Sequence, residues 1–291
     1  MTVRRSVRVR AFAKINLTLR VLGVRADQYH ELRTTFQSMA LHDTLTFTAA
    51  PGPFRIECDD PACPSDRTNL VWHAAERTWR AANRRGVPRD VAVRVAKRIP
   101  MQAGLGGGSS DAASTLRALD ALWRVRMSRE KMRSIASEVG ADVPFFLEGG
   151  TVLGLERGDL LFPLLDAPAS WVVLAVPDFA VSTSEAYGWF DRDREASGLR
   201  RRRAEVSTGN DLQAVVSRRH PEIRRLVGAL SRRGASHAAL SGSGSAVFGL
   251  FGSRAAAASA ARALASRTRR MLVTRTLDRA RYARLARLVT M

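Results

Sequence analysis

The sequence predicts a two-domain α+β protein, and three observations predict it. Val7, Val9, Ala11, Ala13, Ile15, Leu17, Leu19 and Val21, all at odd positions, are apolar, the period-2 signature of half-buried extended chain. A glycine-dense loop, "AGLGGGSSDAA" over 103–113, stands directly before apolar residues at helical spacing. Beyond about residue 165 the pattern restarts as a second run of strands and helices. The expected division is 1–165 and 166–291.

On the first strand, Lys14 and Asn16 share the face opposite the apolar one. "NLVWHAAERTWRAAN" (69–83) then reads as a helix, and Val91, Val93 and Val95 repeat the alternation before Ile99, Pro100 and the glycines. Ala112, Ala113, Leu116, Leu119, Leu122 and Trp123 recur three and four apart, which predicts a helix whose first turn Ser109, Ser110 or Asp111 can cap. A further helix is expected from about Ser128, an N-cap, to Val139, with Gly140 ending it. Pro144 biases Val143 away from helix, so Asp142 falls on a loop or turn.

In the second half, "WVVLAV" reads as a strand and Pro177 to Gly209 as a polar, charged stretch. A helix from Asp211, interrupted near Pro221, follows. Then come "SHAAL", the turn "SGSGS", "AVFGLF", the helix "RAAAASAARALASR" and "MLVTRTL". Strand, helix, strand, strand, helix, strand is the order of the ferredoxin-like βαββαβ unit.

Composition narrows the function classes. A chain of 291 residues, 45% hydrophobic, can bury a core of domain size. Cys58 and Cys63 have no third or fourth ligand nearby to complete a zinc site, and the five histidines form no metal motif, so no catalytic transition metal is expected. No stretch reaches the roughly 18 apolar residues that span a bilayer, which points to a cytoplasmic protein with no membrane partner. The net charge of +20 attracts polyanions in general. The densest run, Arg200 to Arg203, lacks interleaved aromatics that would stack bases and reads as a solvated loop.

The glycine loop is neither a Walker A motif, since no lysine follows it, nor GxGxxG. Main-chain N–H groups of Gly106, Gly107 and Gly108 can still form an anion nest at the positive end of a helix, with Ser109, Ser110 and Asp111 in reach of a phosphate. The other polar residues are open to two readings on spacing alone. Lys14 is a catalytic cation or a solvated strand residue, and Asp142 a general base or a turn carboxylate. "DQYHE" (27–31) presents Tyr29 and His30 to a planar ligand or merely joins two strands. "SGSGS" (241–245) is explained by a hairpin turn.

Taken in order, "AKINLTLRVLG" (13–23), "DQYHELRTTFQSMALHDTLTF" (27–47), "PMQAGLGGGSSDAA" (100–113), "GADVPFFLEGGT" (140–151), "STSEAY" (182–187), "GNDLQ" (209–213) and "LSGSGSAVFGLF" (240–251) resemble the GHMP small-molecule kinases. Within them, "YHEL", "FQS", "LHD" and "GADVPFFL" select the branch that acts on 4-diphosphocytidyl-2-C-methyl-D-erythritol. The resemblance implies a GHMP kinase fold: a ribosomal-protein-like βαβ N-terminal domain that binds ATP, and a ferredoxin-like C-terminal domain. It implies phosphorylation of the substrate's 2-hydroxyl, with ATP and Mg2+ as cofactors. By the same resemblance Lys14 and Asp142 are the catalytic pair. Pro100, Met101, Gln102, Ala103, Gly104, Leu105, Gly106, Gly107, Gly108, Ser109 and Ser110 form the ATP phosphate loop. Asn16, Tyr29, His30, Thr183 and Tyr187 hold the cytidine substrate, and Gly242 and Gly244 form a turn facing the site. The implied partners are this cytidine-diphosphate-linked methylerythritol and ATP, with no specific nucleic acid, in a monomer or homodimer. Homoserine or mevalonate kinases of the same superfamily are the runner-up, and a basic nucleic-acid-binding protein on this fold the third reading. Gln28 stands where the family has glycine, so the turn either holds Gln28 at an unfavourable φ or differs in shape.

Overall fold

The computed structural model describes residues 6–196 and 209–291; the Arg200 to Arg203 run lies outside them. The first half comprises β1 (Ser6–Val24), β2 (His30–Pro53), β3 (Arg55–Cys58), α1 (Leu70–Ala81), β4 (Arg89–Ala96), α2 (Gly107–Trp123), α3 (Arg129–Val139), α4 (Phe145–Glu148), β5 (Thr151–Glu156) and β6 (Leu160–Pro163). The second comprises β7 (Trp171–Pro177), α5 (Thr183–Ala196), α6 (Asp211–Arg219), α7 (Pro221–Arg232), β8 (His237–Leu240), β9 (Val247–Phe251), α8 (Arg254–Leu264), β10 (Arg269–Arg275), α9 (Arg279–Leu285) and β11 (Val289–Thr290).

The first sheet runs β11-β1-β2-β4-β3, with β5 paired to β2 and β6 to β5. β3 and β4 are parallel and joined through α1, the expected βαβ unit. The second sheet runs β10-β7-β9-β8, all antiparallel, in the ferredoxin-like order. The alternation in β7 explains how the sheets meet. Val173 and Ala175 face a core with Leu212, Val216, Leu226 and Ala257 from the helices. Val172, Leu174 and Val176 face Ala13, Ile15, Met39 and Leu105 of the first half. Both faces of this sheet are therefore buried, and the halves share a continuous apolar seam.

β1 departs from simple alternation at its centre. Residues 11–16 are all buried, and its register against β2 shifts between Phe12 and Lys14 and again between Asn16 and Thr18. Such shifts re-aim side chains, and here they bracket the two polar residues singled out from the sequence.

Three expectations need correction. No side chain caps α2: Gly106 is the N-cap, at φ 71°, and Ser109, Ser110 and Asp111 lie inside the first turns. The glycines thus form the helix start itself. The polar stretch after Pro177 contains a 14-residue helix, α5, whose sequence, rich in charge and aromatics, carries no clean apolar period. After β10 the chain adds α9 and β11, and β11 pairs with β1 in the first sheet. The helix ended by Ser128 and Gly140 is as expected, with Ser128 Oγ accepting from the Lys131 N–H.

Candidate active site

The site lies where β1, the α2 start and the β8–β9 turn converge. The Lys14 N–H donates to the Leu105 carbonyl at 3.0 Å, tying β1 to the glycine loop. Across the seam, Ser241 Oγ donates to the Gly104 carbonyl at 2.9 Å, and the Ala246 N–H to Ala103 at 3.2 Å. The approach is so close that a Cβ on Gly104 would sit 2.0 Å from the Ser241 carbonyl oxygen. Only glycine fits there, and its φ of 73° is one that glycine adopts freely. The "SGSGS" turn is therefore more than a hairpin connection, since it docks on the loop.

At the centre, Lys14 Nζ lies 2.6 Å from Asn16 Oδ1 and 3.3 Å from Asp142 Oδ2. Lys14 is 4% exposed and Asp142 33%, so the ammonium is enclosed while the carboxylate opens to the cleft. Asn16 is fixed in turn: its Nδ2 donates to Thr34 Oγ1 at 2.7 Å, and that hydroxyl donates to the Thr18 carbonyl. Asp142 is carried on the turn between α3 and α4, where Val143 N–H bonds the Gly140 carbonyl.

These groups line a cleft of about 830 Å³. One wall is the loop from Pro100 to Ser109, where the first bond of α2 runs from the Ser110 N–H to the Gly106 carbonyl. Helix geometry then leaves the N–H groups of Gly107, Gly108 and Ser109 for an anion, at the positive end of a 17-residue helix. Such a cradle, beside a lysine and a carboxylate, fits phosphate chemistry.

Comparison with known proteins agrees. The model of the GHMP kinases N terminal domain matches residues 69–150, and that of the GHMP kinases C terminal domain residues 193–269. The 4-diphosphocytidyl-2-C-methyl-D-erythritol kinase of Moorella thermoacetica is 41% identical to this chain, over 92% of it and 98% of the relative. The chain belongs to this family of GHMP kinases. A solved 4-(cytidine 5'-diphospho)-2C-methyl-D-erythritol kinase superposes with a TM-score of 0.74 at 33% identity, covering 92% of this chain and 98% of its own. A homoserine kinase from Cytophaga hutchinsonii superposes at 0.65 with 18% identity, covering 100% and 99%, which speaks for the fold alone.

In this GHMP kinase the structure gathers Lys14, Asn16, Asp142, Thr183, Tyr187 and the loop residues Pro100 to Ser109 on one cleft. Ser110 is buried beneath it, its hydroxyl without a hydrogen-bond partner among the described residues. Thr183 Oγ1 lies 3.3 Å from Ser243 Oγ on the glycine turn. Tyr29 and His30 are not among the residues that line the cleft, and each instead contacts one that does. His30 stacks on Tyr187 with centroids 4.4 Å apart, and Tyr29, half exposed, lies under the Arg157 guanidinium at 5.1 Å. Burial, with the nearby Asp142 carboxylate, pushes the Tyr187 phenol well above its usual range, so it stays protonated as a donor.

Sequence reading missed two polar neighbours here. Asp191 of α5 meets His30 Nε2 through Oδ1 at 2.9 Å, as the acceptor for that ring nitrogen. Arg157, in the β5–β6 turn, lines the cleft and pairs with Asp159. Asp191 was hidden because α5 itself was not recognised. Cys63, Pro64, Thr68, Asn69, Leu70 and Met101 also line the cleft, with Asn69 capping α1 through the Val71 N–H.

Proposed function

We propose that this kinase transfers the terminal phosphoryl group of ATP to the 2-hydroxyl of 4-diphosphocytidyl-2-C-methyl-D-erythritol. The products are the 2-phosphate and ADP, in the methylerythritol phosphate route to isoprenoid precursors. The observation that carries the reading is the contact of Lys14 with Asp142 in one cleft that the anion cradle and Tyr187 also line.

Each end suits one substrate. The loop N–H groups take the ATP phosphates, and the adenine lies towards Leu70 and Met101, where apolar side chains adjoin the Asn69 amide. The cytidine lies at the Tyr29, His30 and Tyr187 end, which offers ring faces and a histidine edge oriented by Asp191. Between them, Asp142 accepts the hydroxyl proton as the oxygen attacks, and Lys14 orients that oxygen and offsets charge in the transition state. Asn16 holds the lysine towards this point.

Among the described residues, no three or more His, Cys, Asp or Glu side chains gather to hold a metal. In this proposal magnesium comes as a companion of the nucleotide, bound to phosphates and water. The N–H groups of Gly107, Gly108 and Ser109 would hold the phosphates, and the ion would ride on those phosphate oxygens. When bound it supplies charge neutralisation. The named groups all belong to one chain, so each protomer is complete as a monomer or within a homodimer. No described helix is long and apolar enough to cross a membrane.

Replacing Asp142 with Asn or Lys14 with Ala lowers kcat by about 10²-fold or more, with the melting temperature kept within a few degrees. Steady-state assay of the purified variants checks this. Full activity in Asp142→Asn overturns the general-base role.

A further inference from the structure

Lys97 is one of three lysines in the chain, and it is not needed for the reaction as described. It directly follows β4, where the chain enters the phosphate loop. Its ammonium lies 2.5 Å from Asp43 Oδ2, on β2, and 2.9 Å from Asp111 Oδ2, in the second turn of α2. The three side chains are at most 5% exposed. Asp43 Oδ1 also accepts the N–H groups of Arg98 at 2.5 Å and Ile99 at 2.8 Å. The triad thus joins the strand entering the loop to the helix leaving it.

Its charge is the unexpected part. A Cβ on Gly107 would come within 3.4 Å of Lys97 Nζ, so the ammonium sits directly against the helix start that cradles phosphate. Yet two carboxylates accompany it, and with both ionised the triad carries −1 beneath a polyanion. Asp43 is bonded through both oxygens, whereas Asp111 Oδ1 has no partner among the described residues. Burial, opposed by the Lys97 ammonium and aided by the Asp43 carboxylate, pushes the Asp111 carboxyl up to about 7. The charged or titratable groups that face it are Lys97, Asp43 and, in the β3–α1 connection, the Cys63 thiol, which is itself pushed up to about 12 by burial and by Cys58.

We propose that Lys97 is the cation of this lysine-free phosphate loop, a positioning residue acting from beneath the helix start, and that Asp111 sets how much of its charge the nucleotide feels. The inference rests on the reading that the loop binds ATP phosphates. Asp111 holds a proton below about pH 7, where the triad is neutral, and loses it above, where the triad opposes a bound polyphosphate. Nucleotide affinity therefore falls as pH rises through that range. A triad that only braced the fold would not distinguish the two pH values.

The test is the dissociation constant of ADP, by calorimetry, for the wild type and Asp111→Asn at about pH 6 and about pH 8.5. The ratio between the two proteins cancels the titration of ADP itself. The expected ratio is within twofold at the lower pH, with the Asn variant binding roughly threefold to tenfold tighter at the higher one. The same ratio at both pH values, or weaker binding by Asp111→Asn at the higher pH, overturns the proposal. Lys97→Met should weaken ADP binding by about tenfold or more and leave KM for the cytidine-bearing substrate within about twofold. Unchanged ADP affinity in a folded Lys97→Met also overturns it, and should that variant fail to fold, the Asp111 ratio decides alone. If the wild type does not bind ADP at all, the nucleotide reading of the loop fails and this inference with it.

Discussion

Gln28 holds a left-handed conformation, φ 66°, in the turn that presents Tyr29 and His30. Side chains with a Cβ are strained there by about 1 kcal/mol, and the turn is braced accordingly. The Arg25 N–H bonds the Tyr29 carbonyl at 2.7 Å, the Tyr29 N–H bonds Asp27 Oδ1 at 3.1 Å, and Arg25 also pairs with Glu31 and Glu156. Gln28→Gly should raise the unfolding free energy by up to about 1 kcal/mol without altering KM, as read by denaturant titration and steady-state assay. A loss of stability would show that the side chain makes good its strain. The sequence left two options for this turn, and the unfavourable φ is the one realised. It left Lys14 equally open, because alternation in a strand says which face a residue occupies and nothing about what covers that face. The register shifts on either side, and the cover supplied by the glycine turn, turn a nominally polar face into a buried one.

Secondary elements were legible where periodicity was strong and obscured where function altered it. β1 follows from its apolar alternation, α3 from its bounding Ser128 and Gly140, and the βαββαβ order from the run of patterns in the second half. The start of α2 does not, because a serine or aspartate is the usual cap, and here glycines occupy the first turn so that the main chain can face a ligand. α6 shows the reverse case, in which an ordinary cap has a second task. Asn210 Oδ1 accepts the Leu212 N–H, while its Nδ2 donates to the carbonyls of Leu240 at 2.9 Å and Gly242 at 2.7 Å. The helix start thereby fixes the glycine turn that rests on Lys14. Asn210→Ala should cost about 2–4 kcal/mol, the cap plus two stranded carbonyls, and should raise KM for substrate. Asn210→Asp keeps the cap and loses both donations, so it should fall between. Calorimetric melting of the two variants checks the order, and equal melting temperatures for Asn210→Ala and wild type would refute it.

At the scale of the molecule, the site exists because two sheets pack face to face and leave a cleft at the edge of their shared seam. Each half supplies what the other lacks: the first brings the phosphate loop, Lys14 and Asp142, the second Thr183, Tyr187 and the glycine turn. Neither the approach of the halves nor the return of β11 onto β1 could be read from local pattern, since both depend on contacts far apart in sequence. The fold is shared with a homoserine kinase, so fold alone does not set specificity; in the proposed reading it comes from Tyr187 with Tyr29 and His30 beside it, which a small amino acid would leave unused. The most direct test is turnover of three acceptors by the purified protein with Mg-ATP: 4-diphosphocytidyl-2-C-methyl-D-erythritol, homoserine and mevalonate. The cytidine-bearing acceptor is expected to be preferred in kcat/KM by about 10³-fold or more. Good turnover of homoserine or mevalonate, with none of the cytidine-bearing acceptor, would contradict this account.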